Sequence, residues 1–477
     1  MYPNPRPRTI VRDGPHVPTS GTIRMDHFTY ESGVLHAEGV SLERIADEFG
    51  TPTYVYSTET IRNHIQRLSL AFQPLNPDIC YAVKACGNLH ILRLIGSLGL
   101  GMDVVSGGEL ERAWLAGIPM SRVVFAGVGK GESEIRAALD GRFSPLIYCD
   151  LGDPSQRGPV ACFNAESEEE LELIATIASD IFKGTSTRAV AALRVNPDVD
   201  AHTHAYTTTG KAENKFGVPL AQAARIFKRF GPGSDFARSL SLTGVHMHLG
   251  SPIYSAAPYV EAIHKLLALI DTLAAQGTPV TSLDIGGGFG ADYQTGRTPS
   301  YEQYAQAIVP LLKSRSDAGL KIVLEPGRTI VANAGVLLTR VRYVKPGATK
   351  TFLVCDAGMN ALIRPSLYSA FHFIWPARVA PAFVPPRREE RLSLPGLQTC
   401  DVVGPICESG DFLARDRALP PVTKGDTLAV FSAGAYGMSM ASTYNDQPLP
   451  AEVLVSGETA QVIRPRGDIL DHVRHEL

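Results

Sequence analysis

Between residues 53 and 330, short β-branched and apolar runs alternate with longer stretches whose apolar positions recur every three or four residues. This double period predicts strands joined by crossover helices, and so a parallel sheet. The strand candidates are CYAVKA (80–85), GMDVVS (101–106), VVFAG (123–127), ACFNAE (161–166), ALRVNP (192–197), GVHMHLG (244–250), LDIGGG (283–288) and VLEPGR (323–328). SEEELELIATIAS (167–179) and YVEAIHKLLALIDTLAAQG (259–277) carry the helical period between them. Eight strands within roughly 250 residues fit a closed (β/α)8 TIM-type barrel better than an open doubly wound sheet. One further candidate, LIYC, lies in the stretch 141–158 and reads as an insertion before the fourth barrel strand.

Beyond residue 330 the pattern changes. VLLTRVRYVK (336–345), TFLVCDAG (351–358), DTLAVFSAG (426–434) and AEVLVSGETAQVIRP (451–465) are strand-like runs divided by turn residues, which predicts an all-β domain, a Greek-key barrel or sandwich. FTYESGVLHAEGVSL (28–42) has the same character and is expected to supply a strand or two to that domain. The domains are therefore a flexible proline-rich arm (1–25), a strand segment of the β-domain (26–52), the barrel (53–330) and the C-terminal β-domain (331–477). Residues 375–397, rich in proline and charge, read as an exposed excursion.

Composition narrows the class only modestly. The chain has 477 residues, 44% hydrophobic and 19% charged, with a formal net charge of -3. That balance gives no general reason to expect nucleic acid or a membrane as partner, and no apolar run is long enough to span a bilayer. Seven cysteines, at 80, 86, 149, 162, 355, 400 and 407, are odd in number and lack metal-type spacing. They read as thiols in a reducing, cytoplasmic compartment, with no metal site expected.

The chemistry gathers where strands end. In a barrel of this kind the active site lies at the C-terminal ends of the strands, and Lys84, His248, Gly286, Gly287, Gly288, Glu325 and Arg328 all fall there. Singly, each has an ordinary reading: a snorkelling lysine, a structural histidine, a tight turn, a surface ion pair. Together they suit pyridoxal phosphate, which needs a lysine for its Schiff base, a phosphate cradle and a group facing its ring nitrogen. Lys84, the 286–288 glycines and Glu325 supply the three in turn. His248 can lie flat on the ring, and Ser251 can add a hydroxyl to the phosphate. In VVGPICESGD (402–411), Cys407 sits beside Glu408, whose charge disfavours the thiolate.

YAVKA (81–85), GVHMHLGS (244–251), DIGGGFG (284–290), EPGR (325–328), DAGMNALIRPSLY (356–368), GPICESGD (404–411) and GAYGMSMASTYN (434–445) occur in this order. Together they resemble the diaminopimelate decarboxylase family, of the alanine-racemase-like pyridoxal phosphate enzymes, over about residues 26–470. The resemblance implies a barrel plus β-domain and a homodimer with active sites shared across its interface. It further implies that Lys84 is the Schiff-base lysine, His248 the stacking residue and Glu325 the ring-nitrogen partner. Ser251, Gly286, Gly287, Gly288, Pro326, Gly327, Arg328 and Tyr436 would hold the cofactor. Arg328, Arg364, Tyr368, Glu408 and Tyr436 would hold meso-diaminopimelate. Cys407 would be the proton donor, a thiol that must keep its proton until carbon needs it, entering with Glu408 from the partner subunit.

A substrate with an amino acid group at each end needs a cation for the far carboxylate and an anion for the far ammonium. Arg364 and Arg328 supply the first and Glu408 the second. Ornithine or arginine would leave buried donors unpaired, although another decarboxylase of this class, acting on ornithine, arginine or a carboxylated polyamine, is the nearest alternative. A barrel metallohydrolase using His246, His248, His202 and His204 is a second, and an inactive binding homologue a third. Pro252 departs from the family, which commonly has glutamine there.

Overall fold

The computed structural model describes residues 9–11, 26–142, 157–201, 210 and 214–477. The LIYC candidate, most of the 141–158 insertion, and His202 and His204 lie outside the described residues. The chain divides into two compact units: Ile65–Gly290 with Pro299–Thr329, and Met1–His64 with Ala291–Thr298 and Ile330–Leu477.

The first unit is the barrel. Its strands are β1 (Asp78–Ala82), β2 (Gly101–Val104), β3 (Val123–Phe125), β4 (Cys162–Ala165), β5 (Ala189–Asn196), β6 (Leu240–His246), β7 (Ser282–Asp284) and β8 (Lys321–Leu324). Each pairs in parallel with the next, and β8 pairs with β1, so the sheet closes. The eight are the strands the alternation predicts, and β3 pairs directly with β4 across the insertion.

The helices form for local reasons. Ser167 caps Glu168–Ile181, accepting from the Glu170 amide, and three glutamates fill its positive first turn. Ala257–Ala275 buries Ile263, Leu266, Ile270 and Leu273, a stripe at spacings of three and four. Ser300 and Gln303 form a capping box on Tyr301–Asp317.

The second unit is built on a mixed ten-stranded sheet. Gly335–Pro346 runs through its centre, antiparallel to Thr351–Cys355 and to Thr427–Val430. Ala451–Ser456 and Thr459–Arg464 form a hairpin. Thr53–Ser57 belongs here rather than to the barrel: it pairs with Gly335–Leu338 and, in parallel, with Ala451–Val455. All five of its residues are buried, and a strand followed at once by a helix reads locally like any barrel repeat. Phe28–Glu31, Val34–Ala37 and Val40–Ser41 lie in this unit as a small sheet of their own, bridged through Val34 to Arg378.

Two expectations change. Within the proline-rich arm, Thr9–Val11 pairs antiparallel with Thr459–Gln461, because the edge of that hairpin offers free backbone groups. The 375–397 segment is not exposed throughout: Ile374–Pro376 pairs with Leu428–Val430, and Trp375 is buried with its indole N–H on the Phe383 carbonyl.

Candidate active site

At the C-terminal ends of the barrel strands the structure gathers Lys84, His248, Ser251, the 286–288 glycines, Glu325 and Arg328. Lys84 follows β1 and places Nζ 2.6 Å from Asp103 Oδ2 of β2. Glu325 follows β8 and is buried. Its Oε1 accepts from Asn164 Nδ2 at 2.9 Å, and its Oε2 lies 3.3 Å from His246 Nε2. Burial works against its charge, but the imidazole of His246, by charge and hydrogen bond, and Lys84 prevail and hold the carboxyl below its usual range. Asp284 moves the other way: burial and then the neighbouring Glu325 charge hold it well above its usual range. Two adjacent carboxyls are thus split into one that keeps its proton and one that keeps its charge.

The glycine run is placed by what it touches. A Cβ on Gly287 would stand 2.0 Å from the Glu325 carbonyl oxygen, so only glycine lets that backbone approach. The Gly286 carbonyl accepts from the Glu325 amide at 2.9 Å, and Gly286 and Gly288 have φ of +70° and +100°. His248 accepts from the Gly287 amide through Nδ1 at 3.2 Å. Burial, reinforced by Arg194 and Lys84, pushes its imidazole down to about 3, so it is neutral at physiological pH. Arg328 donates through Nε to Ser251 Oγ at 2.9 Å, with Pro326 and Gly327 buried between it and Glu325.

The β unit assembles the other candidates from three sequence motifs. Ser366 Oγ, on the short helix Arg364–Tyr368, donates to the Gly410 carbonyl at 2.6 Å. The Ser442 amide donates to the Asn360 carbonyl at 2.9 Å, and the Cys407 amide to Asn445 Oδ1 at 3.0 Å. Asp411 fastens the turn, accepting from the Met359 and Ile406 amides, both at 2.6 Å. Arg364 is buried, bonded to His372 at 2.9 Å and stacked over the Tyr293 ring at 4.9 Å. Tyr368 and Tyr436 are half-buried, and Tyr436 has a φ of +56°. Cys407 and Glu408 are exposed, and Tyr444 donates its hydroxyl to Glu408 at 2.5 Å.

Several residues at the barrel site carried no role in the cofactor reading of the sequence, where His246 entered only through the metallohydrolase alternative. Asp103, Asn164, His246 and Asp284 form with Glu325 a buried polar layer, and Arg194 pairs with Glu166 at 2.6 Å. A signal existed: each is a polar residue at or near the C-terminal end of a barrel strand. His246, Asp284 and Glu325 bring ligand atoms within 4.8 Å of one another. Within that group His246 Nε2 and Glu325 Oε2 face each other at 3.3 Å.

Barrel and site together define a pyridoxal phosphate-dependent decarboxylase: residues 58–332 match the pyridoxal-dependent decarboxylases, pyridoxal binding domain. The chain is 44% identical to diaminopimelate decarboxylase of Pseudomonas aeruginosa, covering 93% of this chain and 96% of that one. It is 42% identical to that of Aquifex aeolicus, covering 92% and 95%. The crystal structure of diaminopimelate decarboxylase from Helicobacter pylori complexed with L-lysine superposes with a TM-score of 0.77 at 37% identity, covering 91% of this chain and 98% of that one. The chain belongs to the diaminopimelate decarboxylase family.

The residues present fit the cofactor. A lysine, a buried ionised carboxylate and a neutral imidazole converge in one barrel, and two buried polar atoms there, Asp103 Oδ1 and Arg194 Nη2, have no hydrogen-bond partner among the described residues. Among the described residues no helix is long and apolar enough to cross a membrane.

Proposed function

We propose that this chain converts meso-diaminopimelate to L-lysine and CO2, the last step of lysine biosynthesis, as a cytoplasmic homodimer with shared active sites. The observation that carries the reading is Glu325: a buried carboxylate held ionised near the barrel lysine is what a protonated ring nitrogen requires. When bound, pyridoxal phosphate supplies the electron sink for the pair left behind as CO2 departs.

The chain's own residues do the rest. Lys84 would hold the cofactor through its side-chain amine. Glu325, held ionised, would favour a proton on the ring nitrogen, and His248, neutral and half-buried, would pack on the ring. Ser251, the 286–288 glycines, Pro326, Gly327, Arg328 and Tyr436 hold the phosphate end. Arg364 and Arg328 take the distal carboxylate of the substrate, Glu408 takes its distal ammonium, and Tyr368 and Tyr436 line the same end. Cys407 delivers a proton to Cα where the carboxylate has left. Both Cys407 and its neighbour Glu408 enter from the partner subunit.

The exposure of Cys407 and Glu408 supports sharing, since a proton donor must be screened from water when it acts. Mixing inactive Lys84→Ala and Cys407→Ala proteins tests it. Subunit exchange should restore part of the activity through heterodimers, whereas no recovery after verified exchange contradicts it.

A further inference from the structure

Strand alternation sorts the barrel's inward residues into layers, because positions two apart share a face. Glu325, Asp284 and Asn164 sit in the polar layer; Val323, Ser282 and Cys162 lie two residues nearer the N-terminal ends of the same strands. In barrels of this type that interior is usually filled by bulky branched side chains. Here the inward residues Cys80, Cys162, Ala192 and Ser282 are small, and with Val124 and Val323 they line a cavity of about 640 Å³. Its mouth is at the N-terminal ends of the strands, the rim opposite Lys84. Its inner end is formed by Asn164 and Asp284.

We propose that this cavity is a second small-molecule site, taking a small neutral amphiphile with an apolar body and a hydroxyl or amide head, and that its occupancy is felt at Glu325 through Asn164 and Asp284. The volume is that of a ligand pocket rather than a packing defect. The wall is soft and apolar: Cys80, Val124 and Val323 form one cluster with Cys162 against it. The inner end is hydrogen-bonding, since Asn164 Nδ2 lies 3.3 Å from Asp284 Oδ2 and 2.9 Å from Glu325 Oε1. A head group competing for Asn164 or Asp284 therefore alters a bond that Glu325 receives.

Charge excludes ionic guests. At the mouth Lys321 is already paired with Asp78, and Arg122 donates to the Gly99 carbonyl. Inside, Asp284 keeps its proton, because burial and the Glu325 charge hold it well above the carboxylate range. A charged ligand would be desolvated without a free counter-ion. The thiols favour binding over reaction: burial pushes Cys162 up to about 12 and Cys80 well above its usual value, so neither is a thiolate near neutrality.

The site stands on the cavity alone, while its coupling rests on the role proposed for Glu325. The holoenzyme is titrated with hexanamide and cyclohexanol, with hexanoate and hexylammonium as charged comparators. Binding is followed by ligand-observed NMR and coupling by the visible absorbance of the bound cofactor. Saturable binding of the neutral probes is expected, with a change in absorbance. Ala192→Leu and Ser282→Leu, which fill the cavity, should weaken binding by about tenfold or more while cofactor remains bound. Cys162→Met is a milder filling should those variants fold poorly.

No saturable binding, or equal binding in the filled variants, overturns the site. Charged probes binding equally well in an Ala192-dependent way overturns the ligand class, and binding without an absorbance change overturns the coupling. A protein that carries no cofactor absorbance at all contradicts the function proposed above, and the NMR arm still decides the site.

Discussion

The two glutamates assigned to chemistry occupy opposite environments. Glu325 is buried, with both oxygens engaged by Asn164 and His246, and its charge is fixed by that layer before any ligand arrives. Glu408 is exposed on a turn and engaged by the Tyr444 hydroxyl. The barrel thus carries its electrostatics preorganised in low dielectric, where a fixed charge does the most. The β unit presents a well-fastened turn with its chemical groups facing outward, which suits groups that meet a substrate only when the site is completed.

If that contrast is right, barrel variants should change turnover and the cofactor, and turn variants should change substrate affinity. The largest effect belongs to Lys84→Ala. Activity should fall on the order of 10³-fold or more, and borohydride should no longer fix cofactor mass on the peptide containing residue 84. Next comes His246→Gln, which removes the neighbour that does most to favour the charge on Glu325 and leaves Lys84 to favour it alone among the strand-end cations. A charge-assisted hydrogen bond is worth about 1.5–3 kcal/mol, so kcat should drop roughly ten- to a hundredfold with KM little changed. A rise in KM alone would place His246 outside the machinery.

Glu109 offers a pH test of the barrel's low dielectric. Burial pushes its carboxyl up to about 6, against the Val105 amide bond and Lys84, which favour its charge. A raised carboxyl binds its proton more tightly folded than unfolded, so stability should decline as pH rises from the unfolded value through about 6. Glu109→Gln should flatten that decline, by about 2 kcal/mol across the window, read from urea unfolding at several pH values. The smallest effect is Tyr444→Phe. Its bond to Glu408 is exposed, so loss should raise KM only about two- to fivefold and leave kcat unchanged.

The sequence foretold much of this molecule, unevenly. All eight barrel strands were legible because each short apolar run ended in turn or capping residues. Thr53–Ser57 was not, since its partners lie nearly 300 and 400 residues away at Gly335–Leu338 and Ala451–Val455, and no local pattern carries that pairing. Gln398–Val403 and Phe412–Leu419 form an antiparallel pair with shifted register, which blurs the two-residue period.

At the site, residues in contiguous motifs were legible: Lys84, His248, the 286–288 glycines, and Glu325 with Arg328. The layer beneath them was not. Asp103, Asn164 and His246 are single polar residues on three different strands, and only barrel closure makes them neighbours of Glu325. The same holds in the β unit, where Asn445 meets Cys407 and Ser366 meets Gly410 across tens of residues.

The most direct test of the central claim is CO2 release by the purified protein with pyridoxal phosphate, comparing meso-diaminopimelate with L-ornithine and L-arginine. The account predicts a strong preference for meso-diaminopimelate, on the order of 10⁴-fold in kcat/KM, with L-lysine as product. Equal or better turnover of ornithine or arginine would keep the barrel and its cofactor but contradict the roles given to Arg364 and Glu408.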